Sequence, residues 1–331
     1  MRKTSLLPLF AFFAAIALSC QFATPAPSPT SPPVSRRKSI PAAAVKGSPA
    51  SDAWQPVTAA GWSAPKPMDG PVNTAGAEDS PFLSEDGQGF YFFFTPDPNL
   101  PPGQTASDGV TGIWVARRGP DGWLEPERVP LAEPGVTHVD GCEFLLGDRM
   151  YFCSIRAGNH NSIDWWTATL RDGVWGEIAN AGEWLNGDQQ VGELHITAGY
   201  RELYFGSERP GGLGGLDLWA AEASAGGWGP PRNLGPQVNT AGDESRPFVT
   251  ADGNELWFTA QPSHLGHPGP ATIRCLRQSD GTWNDCREIV GCFAGEPNLS
   301  NDGRTLFFVH HFYSADGARM IEADIYTSQR Q

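Results

Sequence analysis

The chain has 331 residues, 40% of them hydrophobic and 18% charged, with 39 Gly, 30 Pro and 12 Trp; it is long enough to bury a large core and too apolar for a wholly disordered chain. Its formal charge is −14, and the imbalance lies beyond residue 50, where 17 basic side chains stand against 37 acidic ones because residues 1–50 hold six basic groups and no acid. Such a surface repels phosphate backbones and argues against nucleic-acid binding, and no stretch after the leader is apolar enough to span a bilayer.

The chain opens as an export signal over residues 1–19. Arg2 and Lys3 form a positive start, and Leu6 to Leu18 is an apolar run interrupted only by Pro8, too short for a spanning helix. Its end, Ile16-Ala17-Leu18-Ser19-Cys20, resembles the lipobox of bacterial lipoproteins. The resemblance implies that Cys20 is lipidated and becomes the mature N-terminus, although Ala17 stands where the family usually has Leu. An ordinary signal peptide cut near Ser19 is the alternative. Gln21 in place of Asp implies outer-membrane retention. The expected address is therefore the bacterial cell envelope, as an outer-membrane lipoprotein facing periplasm or exterior that touches the membrane only through its lipid. Residues 20–50 are rich in Pro, Ser, Ala and Thr with no apolar period, and are expected to form an extended tether.

Residues 51–331 repeat. A Trp beside a turn recurs at Trp62, Trp123, Trp175, Trp228 and Trp283. In phase with it, a short apolar strand, a polar turn and an aromatic strand recur as PFLSEDGQGFYFFF (81–94), EFLLGDRMYFCS (143–154), LHITAGYRELYFGS (194–207), PFVTADGNELWFTA (247–260) and PNLSNDGRTLFFVH (297–310). A third strand appears at Ile113-Trp114, Trp165-Trp166, Leu218-Trp219, Ile273-Arg274 and Ile325-Tyr326. Each repeat then holds about four short strands, the content of one propeller blade. The last repeat ends without its Trp strand, while Trp62 precedes the first. In addition, Pro71-Val72-Asn73-Thr74-Ala75-Gly76 copies Gln237-Val238-Asn239-Thr240-Ala241-Gly242. The predicted fold is all-β: a five-bladed β-propeller of four-stranded antiparallel blades, closed by the N-terminal strand so that no sheet edge is left loose.

The phrase Ser/Thr-x-Asp-Gly before an aromatic strand, with Asp-Leu-Trp or Asp-Ile-Tyr downstream, resembles the WD40-like β-propeller repeat of TolB-type envelope proteins. SERPGGLGGLDLW (207–219) and DESRPFVTADGNELWF (243–258) carry the likeness. The first repeat departs from it by a Pro-rich insertion (96–110), and the second by Gly147-Asp148 in place of the full turn. The resemblance implies a fold; propellers host many unrelated activities.

Five cysteines follow Cys20. A hairpin turning at Gly147-Asp148 places Cys142 opposite Cys153, and one turning at Asp280-Gly281 places Cys275 opposite Cys286. Both couples come within disulfide reach in an exported chain. Cys292 is left over, either buried or exchanging with Cys286. No cysteine pair has zinc-ligand spacing beside a His, so no metal is assigned.

Acids gather just before the first strand of each repeat: Glu78-Asp79, Asp140 with Glu143, Glu193, Asp243-Glu244 and Glu296, with His138, His195 and Arg246 nearby. In a propeller these positions ring one mouth of the central channel. Crowded carboxylates raise one another's pKa or recruit a cation such as Ca²⁺, although no cofactor is required by the sequence. Two functions fit. In the first, a monomeric propeller binds an envelope protein, a peptide or a glycan, using Glu78, His138, His195, Glu244, Arg246 and Glu296. In the second, Asp79, Asp140 and Glu193 reproduce the order of the three acids in five-bladed glycoside hydrolases, which need one protonated and one charged carboxyl across a bond. The motifs around those hydrolase acids are missing, and repeats four and five carry acids at the same phase, which favours acids that belong to the repeat and bind backbone amides or neighbouring blades, and with them the module rather than the enzyme.

Overall fold

The computed structural model describes residues 35–105, 107–132 and 138–331. The leader, Cys20 and residues 20–34 of the expected tether lie outside the described residues. The described chain is nearly all β, with single helical turns such as Arg36–Ser39 and Glu183–Asn186.

The strands pair into antiparallel units in sequence order. The first holds Ala77–Leu83, Gly89–Thr95 and Gly112–Gly119, edged by Gly122–Trp123 and Glu127–Arg128. The second is Val139–Leu146, Arg149–Ile155, Asp164–Arg171 and Val174–Asn180. Next come Leu194–Ile196, Glu202–Ser207 and Asp217–Ser224, edged by Gly227–Trp228 and Arg232–Asn233. The fourth is Asp243–Val249, Glu255–Gln261, Ala271–Arg277 and Trp283–Gly291. In the last, Ala294–Leu299, Thr305–Tyr313 and Met320–Gln329 are joined by Lys66–Pro67 from the start of the chain, Lys66 opposite Thr327 and Pro67 opposite Tyr326. The arrangement is a propeller-like all-β fold.

Local chemistry explains the repeat phrase. In Ser84-Glu85-Asp86-Gly87, Asp86 Oδ1 accepts the Ser84 hydroxyl at 2.6 Å and the Gln88 N–H at 2.9 Å, and Gly87 takes a φ of 67° that a side chain would resist. Thr250-Asp252-Gly253 and Ser300-Asp302-Gly303 repeat the same bonds. The aromatic strand that follows is buried on both faces: Phe90, Phe92 and Phe94 on one retain no exposed surface, and Tyr91 and Phe93 on the other are 4% and 7% exposed. Strands packed between neighbouring sheets require that.

Four of the five inner strands break their ladder at one place; Leu194–Ile196 pairs without a shift. Register shifts occur between Asp79 and Phe82, Gly141 and Phe144, Ser245 and Phe248, and Gly295 and Asn298. There Ser80, Cys142, Arg246 and Glu296 take φ values of 51°, 54°, 55° and 59°. These are β-bulges, in which two residues oppose one and a side chain is re-aimed. Pro81, Pro247 and Pro297 follow three of the bulged residues, which fits a segment already out of the ladder.

The bulge corrects the expected Cys142–Cys153 bridge. The simple hairpin register holds from Leu146–Arg149 to Phe144–Tyr151, but past the bulge it is Gly141 that faces Cys153. Cys142 and Cys153 are both free thiols, as is Cys292. Cys275 and Cys286 form a disulfide with a Cα separation of 4.0 Å.

A second correction concerns the tether. From Ser35 onward the segment is packed on the sheet assembly. Arg36 is 2% exposed: its guanidinium donates to Val72 O and Pro71 O at 2.6 and 2.5 Å, meets Glu78 at 3.3 Å and lies over the rings of Phe92 and Phe94. Lys46 pairs with Glu322 and Asp324, and Asp52 meets His310 at 2.8 Å. Composition suggested an extended linker, yet Arg36 and Lys46 find buried counter-charges and Asp52 a buried hydrogen-bond partner, contacts that act against the cost of ordering the segment.

Candidate functional site

The bulges gather the inner strands around a cavity of about 60 Å³, lined by residues 80–82, 142–144, 193–195, 246–248 and 296–298. One end is filled by rings. His195 lies edge-on to Phe144 at 5.0 Å and to Phe248 at 5.1 Å, and Phe82 meets Phe144 at 5.5 Å. Burial pushes the His195 imidazole down to about 3, so it is neutral.

At the other end the acids collect on Arg246. Its guanidinium lies 3.0 Å from Glu193 and 3.7 Å from Asp79 and also contacts Glu296. Burial works against its charge, but Glu193 and Asp79 outweigh burial and hold its pKa above the ordinary value. Ser80 ties the cluster together: its N–H donates to Asp79 Oδ1 at 2.8 Å and to Glu296 Oε2 at 2.9 Å. Beside them, His311 is 2% exposed and neither ring nitrogen has a partner; burial brings its pKa down to about 4.

The remaining acids do not join this cluster. Glu78 accepts from Thr74 N at 2.8 Å and Thr74 Oγ1 at 2.5 Å, and Glu244 accepts from Thr240 N at 3.0 Å and Thr240 Oγ1 at 2.6 Å. Burial raises both to about 7. Asp140 is held by His138 at 2.6 Å, by Ser154 at 2.7 Å and by Arg156; burial opposes its charge, but His138 and Arg156 outweigh it and hold its pKa low. Glu143 is buried with no partner for either oxygen, and burial pushes its pKa well above the carboxylate range. Asp243 accepts the Leu216 N–H at 2.8 Å. The expected ring of acids is thus divided into amide-bound braces and one trio on Arg246. Asp140, 2% exposed and salt-bridged, does not join Asp79 and Glu193.

From Arg246 and Glu193 a recess of about 380 Å³ opens between the second and third units. Its wall carries Asn161, Trp165, Asp188, Gln190 and the two thiols of Cys142 and Cys153. The sequence marks Arg246 without its hub role, and nothing in the order of residues separates His310 from His311. His310 is satisfied, by Asp52; His311 is not. The signal available for the hub was the Pro in a strand otherwise read as buried, directly after Arg246 and Glu296.

No family model and no curated protein matches the chain. Solved structures similar to it include a protein assigned as TolB in Agrobacterium tumefaciens, 14% identical over 77% of this chain and 91% of that one, with a TM-score of 0.38. Another is an endo-1,4-β-xylanase from Bacteroides thetaiotaomicron, 12% identical over 76% and 89%, with a TM-score of 0.45. A third is the periplasmic gluconolactonase of Pseudomonas aeruginosa, 13% identical over 76% and 73%, with a TM-score of 0.36. At these scores the likenesses carry no argument about activity.

Proposed function

We propose that the chain is an exported binding module of the bacterial cell envelope: a ring of five blades, closed by the N-terminal strand, anchored through a lipid on Cys20 and working as a monomer. Support for the ring comes from Lys66–Pro67 pairing with Met320–Gln329 and from a cavity to which all five inner strands contribute. Support for the address comes from the leader and the residues before Cys20 alone.

One observation favours binding over hydrolysis. Asp79 and Glu193 share the Arg246 guanidinium, Asp140 is salt-bridged and buried, and aromatic rings fill the cavity beyond. Glycoside hydrolysis needs two carboxyls free to flank one open bond, whereas here both carboxylates are turned onto one guanidinium. The recess between the second and third units instead offers amide and carboxylate groups around one Trp, the lining of a small polar ligand's pocket. A glycan or a peptide segment matches that chemistry.

The test is a screen of oligosaccharides and peptides by thermal shift, with hydrolysis of the same sugars assayed in parallel. The reading expects a ligand whose stabilisation is lost in Gln190→Ala or Asp188→Ala, and no turnover by wild type. Turnover abolished by Glu193→Gln would establish the hydrolase instead. Palmitate incorporation that disappears in Cys20→Ser checks the anchor; unlabelled wild type in a lipoprotein-competent host removes it.

A further inference from the structure

We infer that Asp79, Glu296 and His311 form a binding site for a divalent first-row transition cation of the Zn²⁺ class. One donor atom from each lies within 4.8 Å of the other two. Ligand bonds of about 2.0–2.2 Å around such an ion place donors roughly 3–4 Å apart, so small side-chain rotations close the set. His311 is the independent pointer. It is almost wholly buried, its backbone N–H is fixed on Phe293 O at 3.0 Å, and both ring nitrogens lack a hydrogen-bond partner. Buried polar atoms rarely stay unpaired in a folded protein, and an unexplained one marks an absent water or ion.

Charge supports the same conclusion. Asp79, Glu193 and Glu296 are three carboxylates on one guanidinium, that of Arg246. One cation thus serves three carboxyl groups, at a place where Glu296 and Arg246 have little contact with solvent. Arg246 is committed to Glu193 and to one side of Glu296, while Ser80 donates to Asp79 Oδ1 and Glu296 Oε2 and so orients both carboxylates. A void of about 30 Å³ bounded by Glu296, His311 and Arg246 adjoins the trio on the side away from Asp79 and gives room for a water on the ion. The imidazole separates this site from a Ca²⁺ site, which takes oxygen donors, and favours Zn²⁺, Co²⁺ or Mn²⁺. The inference does not depend on the binding-module reading, because it concerns only the interior of the cluster.

The experiment titrates Co²⁺ into the full chain after chelator treatment, reading its visible absorption, then adds Zn²⁺ or Ca²⁺ as competitor. One Co²⁺ per chain is expected, displaced by Zn²⁺ and not by Ca²⁺. Asp79→Asn and His311→Ala should each weaken binding at least about tenfold. Asp79 keeps 22% side-chain exposure, so its variant carries the test if the His311 variant fails to fold, with circular dichroism as the check. No Co²⁺ binding, full competition by Ca²⁺, or affinity unchanged in Asp79→Asn overturns the site.

Discussion

Asn73 holds the backbone of Ile325 with both ends of its amide: Oδ1 accepts the Ile325 N–H at 3.0 Å, and Nδ2 donates to the Ile325 carbonyl at 2.8 Å. The same clamp joins Asn239 to Leu218 at 2.8 and 3.0 Å and Asn186 to Trp165 at 2.6 and 2.9 Å. In those two the partners are 21 residues apart; for Asn73 the separation is 252. A local device of the repeat is reused to bind the start of the chain to its end. Asn73→Ala strands two backbone groups and should cost about 1–3 kcal/mol per group left unsatisfied. Urea unfolding of Asn73→Ala and Asn239→Ala should show comparable losses, and a neutral Asn73→Ala would remove the clamp as a stabilising element.

Trp62 extends that junction. It stands edge-on to Trp257 at 5.5 Å, under the guanidinium of Arg330 at 5.0 Å, and is bridged to Arg330 through the backbone. Trp62→Ala should destabilise by about 3–5 kcal/mol, the range for a buried aromatic truncated in a core. Differential scanning calorimetry reads it; a loss below about 1 kcal/mol would mean that the segment adds little to the assembly.

Arg36 and Glu78 are an ion pair with side chains 1% and 0% exposed. Removing one partner leaves an uncompensated buried charge, so Arg36→Met alone should cost about 3–5 kcal/mol, whereas Arg36→Met with Glu78→Gln should recover part of that loss. If the double variant is worse than the sum of the singles, the pair is not the unit that matters. Tryptic cleavage after Lys38 or Lys46 should accelerate in the single variant.

Glu244 makes a pH test. Burial raises its pKa from 4.5 to about 7, against its bonds from Thr240, and no cation is among the influences on it. Between those values the folded chain keeps a proton that the unfolded chain releases, so this group's contribution to stability is full below 4.5 and is lost as pH rises through 7. His195, lowered to about 3, acts with the opposite sign below its ordinary 6.5, but cancels when two variants sharing it are compared. Glu244→Gln should therefore gain on wild type as pH rises from 4.5 to above 7. A difference independent of pH would show that Glu244 is ionised in the fold throughout.

Arg246 and Glu193 should be unequal. Arg246→Met leaves Asp79, Glu193 and Glu296 without their common cation and should destabilise by about 3–5 kcal/mol, while Glu193→Gln keeps a hydrogen-bond acceptor for Arg246 and should cost less. Paired denaturation curves decide this, and equal losses would deny Arg246 its hub role.

What could be read from the amino-acid order was whatever repeats locally. Turn phrases with Asp and Gly, aromatic strands and the Asn-Thr-Ala-Gly copy each depend on contacts within a few residues, so spacing alone exposed the four-stranded units and the Cys275–Cys286 couple. Tertiary structure decided everything that depended on one inserted residue. The bulge at Cys142 moved that thiol out of register with Cys153, and its counterparts at Arg246 and Glu296 turned those side chains onto a common cluster. Alternation with period two has no term for such an insertion, although Pro247 and Pro297 marked its place. The acids looked equivalent because they share a phase, yet Thr74 and Thr240 engage two of them while Arg246 gathers three others from different units. Composition likewise missed Arg36, Lys46 and Asp52, since a Pro-rich segment reveals its packing only when its counter-charges, far away in the chain, are in place.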